Sequence, residues 1–212
     1  MKTTDLISAL TADLDAKPAP LRRSFVVDVG VGFALSALFF FTFLGVRATF
    51  FASLDNPRFL FKFVVTATMA ITGLALVWRL SRPVGEGGGA KIAVWLAPAL
   101  LIAACAIELL VVPSTQWAAR LIGHNAWHCL TLVPFMALAP LGGLLLALKH
   151  GAPSHPHLAG AAAAFAASGL SATLYAANCP DDSPLFVTTW YLLATAIVVT
   201  LGWFAGGRWL RW

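Results

Sequence analysis

Two cysteines and the groups around them define the chemistry open to this chain. Cys129 closes the run Gly123-His124-Asn125-Ala126-Trp127-His128-Cys129, which leads into an apolar stretch. Cys179 lies in a polar connection, Ala177-Asn178-Cys179-Pro180-Asp181-Asp182-Ser183-Pro184, between two other apolar stretches. Two thiols brought together can form a disulfide if their Cα atoms lie within ~7 Å. With His124 and His128 one helical turn apart as auxiliary ligands, the thiols could instead bind a soft or borderline metal. The spacing leaves both chemistries open, beside a third reading of two unrelated interface cysteines with loop histidines. No constitutive metal and no cofactor are expected. Cys105 lies mid-stretch and reads as a small apolar residue. His150, His155 and His157 form a second histidine group, with no thiol or carboxylate in their own loop to complete a metal site.

The patterns that announce catalysis are missing. There is no Cys-x-x-Cys, as a thiol-oxidising membrane enzyme would usually carry, and no nucleophile–base pair or dinucleotide loop. Val84-Gly85-Glu86-Gly87-Gly88-Gly89 lacks a following Gly-Lys-Ser/Thr, so it reads as a flexible connection rather than a phosphate loop. The chain therefore reads as a non-enzyme with no obligatory small-molecule substrate.

The elements that must position the thiols are membrane spans. Of 212 residues 59% are hydrophobic and 11% charged, against roughly 25% charged in an ordinary soluble domain. Lipid offers the backbone no hydrogen-bonding partner, so a spanning helix needs ~20 apolar residues. Six stretches qualify: Phe25–Val46, Phe59–Leu80, Ile92–Val112, Cys129–Leu148, Leu158–Ala177 and Leu185–Gly206. The fold class expected is an all-α integral membrane protein, a bundle of six transmembrane helices. A polar segment, residues 1–23, precedes a transmembrane domain, residues 24–212. The first stretch exceeds the ~7–15-residue apolar core of a signal peptide and reads as a retained span.

Basic residues mark the cytoplasmic side. With both termini inside, ten fall inside, in the N-terminal segment, around Arg79, Arg82 and Lys91, at Lys149, and at Arg208 and Arg211. Four, Arg47, Arg58, Lys62 and Arg120, fall outside. Trp78, Trp95, Trp203, Trp209 and Trp212 then belong to the inner aromatic belt, and Trp117, Trp127, Tyr175, Trp190 and Tyr191 to the outer one. The net charge of +5 follows from this topology and from anionic lipid head groups; direct nucleic-acid binding is not expected.

Within residues 1–23, Leu6, Ile7, Leu10 and Leu14 recur at helical spacing, with Asp5, Ser8, Thr11 and Asp13 between them. This predicts a short cytoplasmic amphipathic helix ending near Lys17-Pro18-Ala19-Pro20. Membrane-surface helices carry basic polar faces. An acidic one is better suited to a protein partner, with Asp5, Leu6, Ile7, Leu10 and Leu14 as the contact residues. Among the spans, the fifth has Gly160, Ala161, Ala164, Ser168 and Gly169 and is expected at the centre of the bundle. Pro134 and Pro140, followed by Gly142-Gly143, predict a kink in the fourth. The charged residues Asp28, Lys62 and Glu108 lie near span ends, and either snorkelling or a Lys62–Glu108 pair at the outer ends of spans 2 and 3 would satisfy two of them.

Several segments together resemble one family. These are Met1-Lys2-Thr3-Thr4-Asp5-Leu6-Ile7 with Ala9-Leu10 and Asp13, Asp55-Asn56-Pro57-Arg58-Phe59 before the second span, Arg79-Leu80-Ser81-Arg82-Pro83 after it, and Cys179-Pro180-Asp181-Asp182-Ser183-Pro184-Leu185-Phe186 with Trp190-Tyr191. The chain resembles, over essentially its whole length, the NrsF family of six-span anti-sigma factors of proteobacteria. The resemblance implies a protein that holds an extracytoplasmic-function sigma factor at the inner membrane. It also implies release of that factor when a periplasmic-side cysteine pair, here Cys129 and Cys179, meets metal or oxidative stress. The N-terminal segment would supply part of the sigma-binding surface. Two alternatives stand beside it: a membrane thiol redox enzyme or small-molecule transporter, and a purely structural membrane subunit.

Overall fold

The computed structural model describes residue 3, residues 21–82 and residues 88–211. Asp5, Leu6, Ile7, Leu10 and Leu14, and with them the expected amphipathic helix, lie outside the described residues. Among the described residues, six helices are long and apolar enough to cross a membrane: α1 (Leu21–Leu44), α2 (Pro57–Leu80), α3 (Gly88–Val111), α4 (Ala126–Lys149), α5 (Pro156–Ala176) and α6 (Pro184–Trp209). Three of them begin on a proline, one or two residues earlier than hydropathy alone indicates. Proline is pre-organised for the first helical turn, where its missing N–H has no partner to lose. At α2 the Asn56 side chain also accepts from the Arg58 N–H at 3.0 Å, capping the helix. The helix of α4 is unbroken through Pro134 and Pro140.

The six helices run back and forth, so the start of α1 and the end of α6 lie at one end of the bundle and the two cysteines at the other. Helix α5 is the centre, packed against α2, α4 and α6. Its small residues make this possible. A methyl at Gly169 would strike the backbone of Ala70 in α2, so α2 and α5 meet at main-chain distance only because glycine stands there. On the other side α1 lies along α4, with Gly143 against the carbonyl of Asp28. By contrast α1 and α3 are peripheral and mostly exposed; Ile102, Ile107, Leu110 and Val111 of α3 all face outward. An apolar exterior of this kind suits lipid and is foreign to a water-soluble surface.

The interior divides into two apolar clusters. One, at the chain-terminal end, is built from Leu76, Val77, Leu80, Leu141, Leu144, Leu148 and the alanines of α5. The other, at the opposite end, contains Val65, Met69, Leu101, Val133, Tyr175, Phe186, Val187 and Tyr191, and with them both Cys129 and Cys179.

Candidate functional site: a buried thiol pair beneath a charge-clamped loop

Cys129 occupies the first turn of α4, its N–H donating to Asn125 O at 2.8 Å. Cys179 lies in the α5–α6 loop, its N–H donating to Tyr175 O at 3.0 Å. Both are free thiols with no solvent exposure. The two thiols and the Lys62 ammonium are within electrostatic reach of one another. Tyr175 and Tyr191, expected in an interfacial belt, instead turn inward toward Cys179 and are almost fully buried. A π-helical turn, Val187–Tyr191, interrupts α6 beside the thiols and sets the orientation of Tyr191, whose buried hydroxyl has no hydrogen-bond partner. Hydropathy carries no sign of that turn.

The loop above the thiols is held by charge. Lys62, wholly buried, forms an ion pair with Asp182 at 2.6 Å and donates to Cys179 O at 2.9 Å and Asp181 O at 3.3 Å. Arg47, just past α1, grips the same Asp182 carboxylate with two N–H groups at 3.2 and 3.1 Å and also donates to Cys179 O at 3.0 Å. Asp181 faces the other way. Its carboxylate accepts from the backbone N–H groups of His124 and Asn125, at 3.1 and 2.9 Å, and from the Asn125 side chain at 3.2 Å. Of the two consecutive aspartates, Asp181 thus ties the Cys179 loop to the loop that precedes Cys129, and Asp182 ties it to α2 and to the segment after α1.

Glu108 completes the arrangement from α3. One oxygen meets Arg120 at 3.0 Å and, more distantly, Arg58 at 3.8 Å. The other accepts from Ser183 Oγ at 2.9 Å and from the Leu185 N–H at 3.3 Å, a negative charge at the start of α6 where the helix dipole favours it. The expected Lys62–Glu108 pair is therefore not formed. Both residues are at the right depth, but each points into the α5–α6 loop, and the loop supplies Asp182 for one while Arg120 and Arg58 reach the other. Cys105 is also more than an apolar filler, since its Sγ lies 3.0 Å from Thr188 Oγ1 and 3.5 Å from Pro184 O.

The histidines do not join the thiols. His124 is almost fully exposed, with Nδ1 3.6 Å from Asp181, and His128 is on the exposed side of α4. His150 meets Asp28 at 3.3 Å across α4 and α1, while His157 lies against Trp203. Among the described residues no group of three or more His, Cys, Asp or Glu side chains is placed to hold a metal ion.

Burial pushes the Cys179 thiol up from its ordinary range, and the nearby Lys62 charge only partly offsets this. A buried thiol that resists ionisation is a poor nucleophile. Alkylation of Cys179 in folded protein should accordingly be slow at neutral pH and should go on accelerating to pH 9 and beyond, instead of levelling near the free-thiol value of ~8.5. A plateau at or below that value in a maleimide time course would contradict the burial.

Glu108→Gln offers a milder test of the loop. It leaves Arg120 and Arg58 half-exposed and solvated, so the change should cost no more than about 1–2 kcal/mol. In thermal unfolding of detergent-solubilised protein it should act well below any change at Asp182.

The sequence comparisons bear on the identity of this arrangement. The family model described as "Negative regulator of sigma F" matches residues 10–212. The chain belongs to the NrsF family. It is 33% identical to the anti-sigma-F factor NrsF of Caulobacter vibrioides (strain NA1000 / CB15N), over the full length of both chains. It is 31% identical to the probable anti-sigma-F factor NrsF of Azospira oryzae, again over the full length of both. No solved structure matches the chain significantly. The Cys-Pro-Asp-Asp-Ser-Pro run is among the segments that carry the family resemblance, and residue type alone gives its aspartates and serine no task. The geometry gives each one: Asp181 to the Cys129 loop, Asp182 to Lys62 and Arg47, Ser183 to Glu108.

Proposed function

We propose that this protein is a membrane-bound anti-sigma factor. It holds an extracytoplasmic-function sigma factor at the inner membrane through the cytoplasmic N-terminal segment, around Asp5, Leu6, Ile7, Leu10 and Leu14, and releases it when Cys129 and Cys179 are oxidised on the periplasmic side. Membership of the NrsF family supports the regulatory role. The observation that carries the sensing role is two free thiols buried together beneath a loop anchored by α1, α2, α3 and the α3–α4 connection.

In the reduced state the clamp keeps the thiols covered. A transient opening of the loop exposes Cys179, and Lys62 is the cation beside it that favours its thiolate. A peroxide-class oxidant accepts the attack, the thiolate sulfur becoming a sulfenic acid as the O–O bond breaks. Cys129 then displaces water to give the disulfide, so that two thiols lose two electrons and two protons in all. The closed clamp must shift to accommodate the new bond. Cys129 lies in the first turn of α4, which packs against α1 further along, through Gly143 and, just past its end, through His150 on Asp28. Since α1 is continuous with the N-terminal segment, the packed pair provides a physical route from thiols to partner.

The test is affinity purification from membranes before and after exposure to a hydroperoxide. Wild type should lose the co-purifying sigma factor on oxidation, and Cys129→Ser/Cys179→Ser should keep it. Equal release from both would sink the sensing role, and no sigma factor with either would sink the anti-sigma reading itself. Deletion of residues 2–14 should abolish retention and leave the bundle folded.

A further inference from the structure

The outer wall of the site contains a cleft that the relay does not use. It lies between α2 and α3, with a volume of ≈ 460 Å³, and its walls include Phe61, Leu100, Ala104 and Ile107, with Arg58 and Glu108 at the rim. That volume falls within the ~300–1,000 Å³ typical of small-molecule sites. From Glu108 down to Leu100 the cleft follows α3 for eight residues, about 12 Å at 1.5 Å per residue. It opens sideways, where Ile107 and Val111 of its lining are exposed on the outer surface of α3.

Two features select an occupant. The floor is apolar and opens toward the lipid-facing surface, so it suits a hydrocarbon chain and no polar solute. The rim has a positive balance: Arg58 and Arg120 share the single carboxylate of Glu108, and Arg58 reaches it only at 3.8 Å with about two-fifths of its side chain exposed. A guanidinium so weakly engaged has donors left for a bidentate anion, and phosphate is the geometry it fits best. At the end of a membrane span, the anion at that depth is a lipid phosphate.

We propose that the cleft binds one glycerophospholipid from the leaflet on the cysteine-bearing side, with an acyl chain along Leu100, Ala104 and Phe61 and its phosphate on Arg58. The proposal rests on the bilayer reading above. It places the lipid against Glu108, the same carboxylate that accepts from Ser183 and Leu185 in the Cys179 loop.

The experiment is native mass spectrometry of protein purified in dodecyl maltoside, then titrated with dioleoyl-phosphatidylglycerol. Wild type should retain or recover one phospholipid per chain. Ala104→Trp, which fills the cleft from its lipid-facing side, should lose it, and Arg58→Gln should weaken it roughly tenfold, the effect of one charge-assisted contact. Ile71→Trp, on exposed surface elsewhere on α2, should leave it unchanged, and slow Cys179 alkylation should certify that each variant is folded. Equal lipid occupancy in wild type, Ala104→Trp and Arg58→Gln would overturn the site, as would a wild-type cleft that never takes up phosphatidylglycerol. Alkaline carbonate extraction separates the two levels. A wild-type protein that leaves the membrane without detergent refutes the bilayer reading, whereas one that stays but holds no phospholipid refutes the cleft alone.

Discussion

Asp182→Asn is expected to speed alkylation of Cys179 in the folded protein by roughly a hundredfold. The carboxylate is the common partner of Lys62, which is wholly buried, and of Arg47. Removing it leaves the Lys62 ammonium with only carbonyl acceptors. Breaking a buried pair from one side typically costs ~3–5 kcal/mol, because the orphaned charge remains desolvated. Asp182 is itself slightly exposed, so the lower figure applies, and ~3 kcal/mol corresponds to a little over two powers of ten. The energy is stored in the loop, so its loss appears as more frequent local opening.

Lys62→Met should act more weakly, since Asp182 keeps its two hydrogen bonds to Arg47. The pair Lys62→Met/Asp182→Leu should recover part of the wild-type protection, as apolar replacement of both partners of a buried pair often does. Burial is the main reason the thiol resists ionisation, and the Asp182 charge adds a smaller push in the same direction. Because that push is the smallest of those acting on the thiol, a rise of this size at every pH reports opening of the loop and not a change in ionisation. A PEG-maleimide gel shift across pH 6 to 9 reads the difference. If Asp182→Asn leaves the rate within about twofold of wild type, the clamp does not guard the thiol.

The parts of this architecture that the sequence discloses are those governed by one-dimensional rules. Apolar length located six spans, and the small residues of α5 marked it as the centre, because both depend on residue type and little else. Azimuth does not follow from type. Lys62 and Glu108 share a depth, which made their pairing attractive, yet the α5–α6 loop supplies nearer partners, and loop conformation is set by the bundle as a whole. Tyr175 and Tyr191 show the same limit. Tyrosine favours the interface on average, but here both rings fill the cluster around the thiols, where a π-helical turn redirects one of them. The two cysteines were legible as a pair only because the topology puts them at one end of the bundle. That they are buried, and that a pair of aspartates divides the labour of fixing the two loops, needed the folded structure.

The route from thiols to partner leads to the second large effect, at Gly143. A side chain there would strike the carbonyl oxygen of Asp28, a main-chain atom that cannot swing aside. At Gly142, one residue earlier on the same helix, an added Cβ meets nothing within 4 Å. Gly143→Val must therefore force α1 away from α4, at an overpacking cost of ~1–3 kcal/mol or more, and it pulls Asp28 from His150. The Cys129–Cys179 cluster lies at the far end of α4 and does not depend on this seam. Gly143→Val is thus expected to reduce sigma-factor retention at least tenfold without oxidant, while both thiols alkylate as slowly as in wild type. Gly142→Val should retain the factor and release it normally. The contrast isolates the seam, because the two substitutions add the same atoms to neighbouring positions and differ only in what those atoms meet. If both variants hold the partner equally well, the α1–α4 contact does not transmit the signal, and the route must pass instead through α5 and α6, which meet closely at Gly160, Gly202 and Gly206.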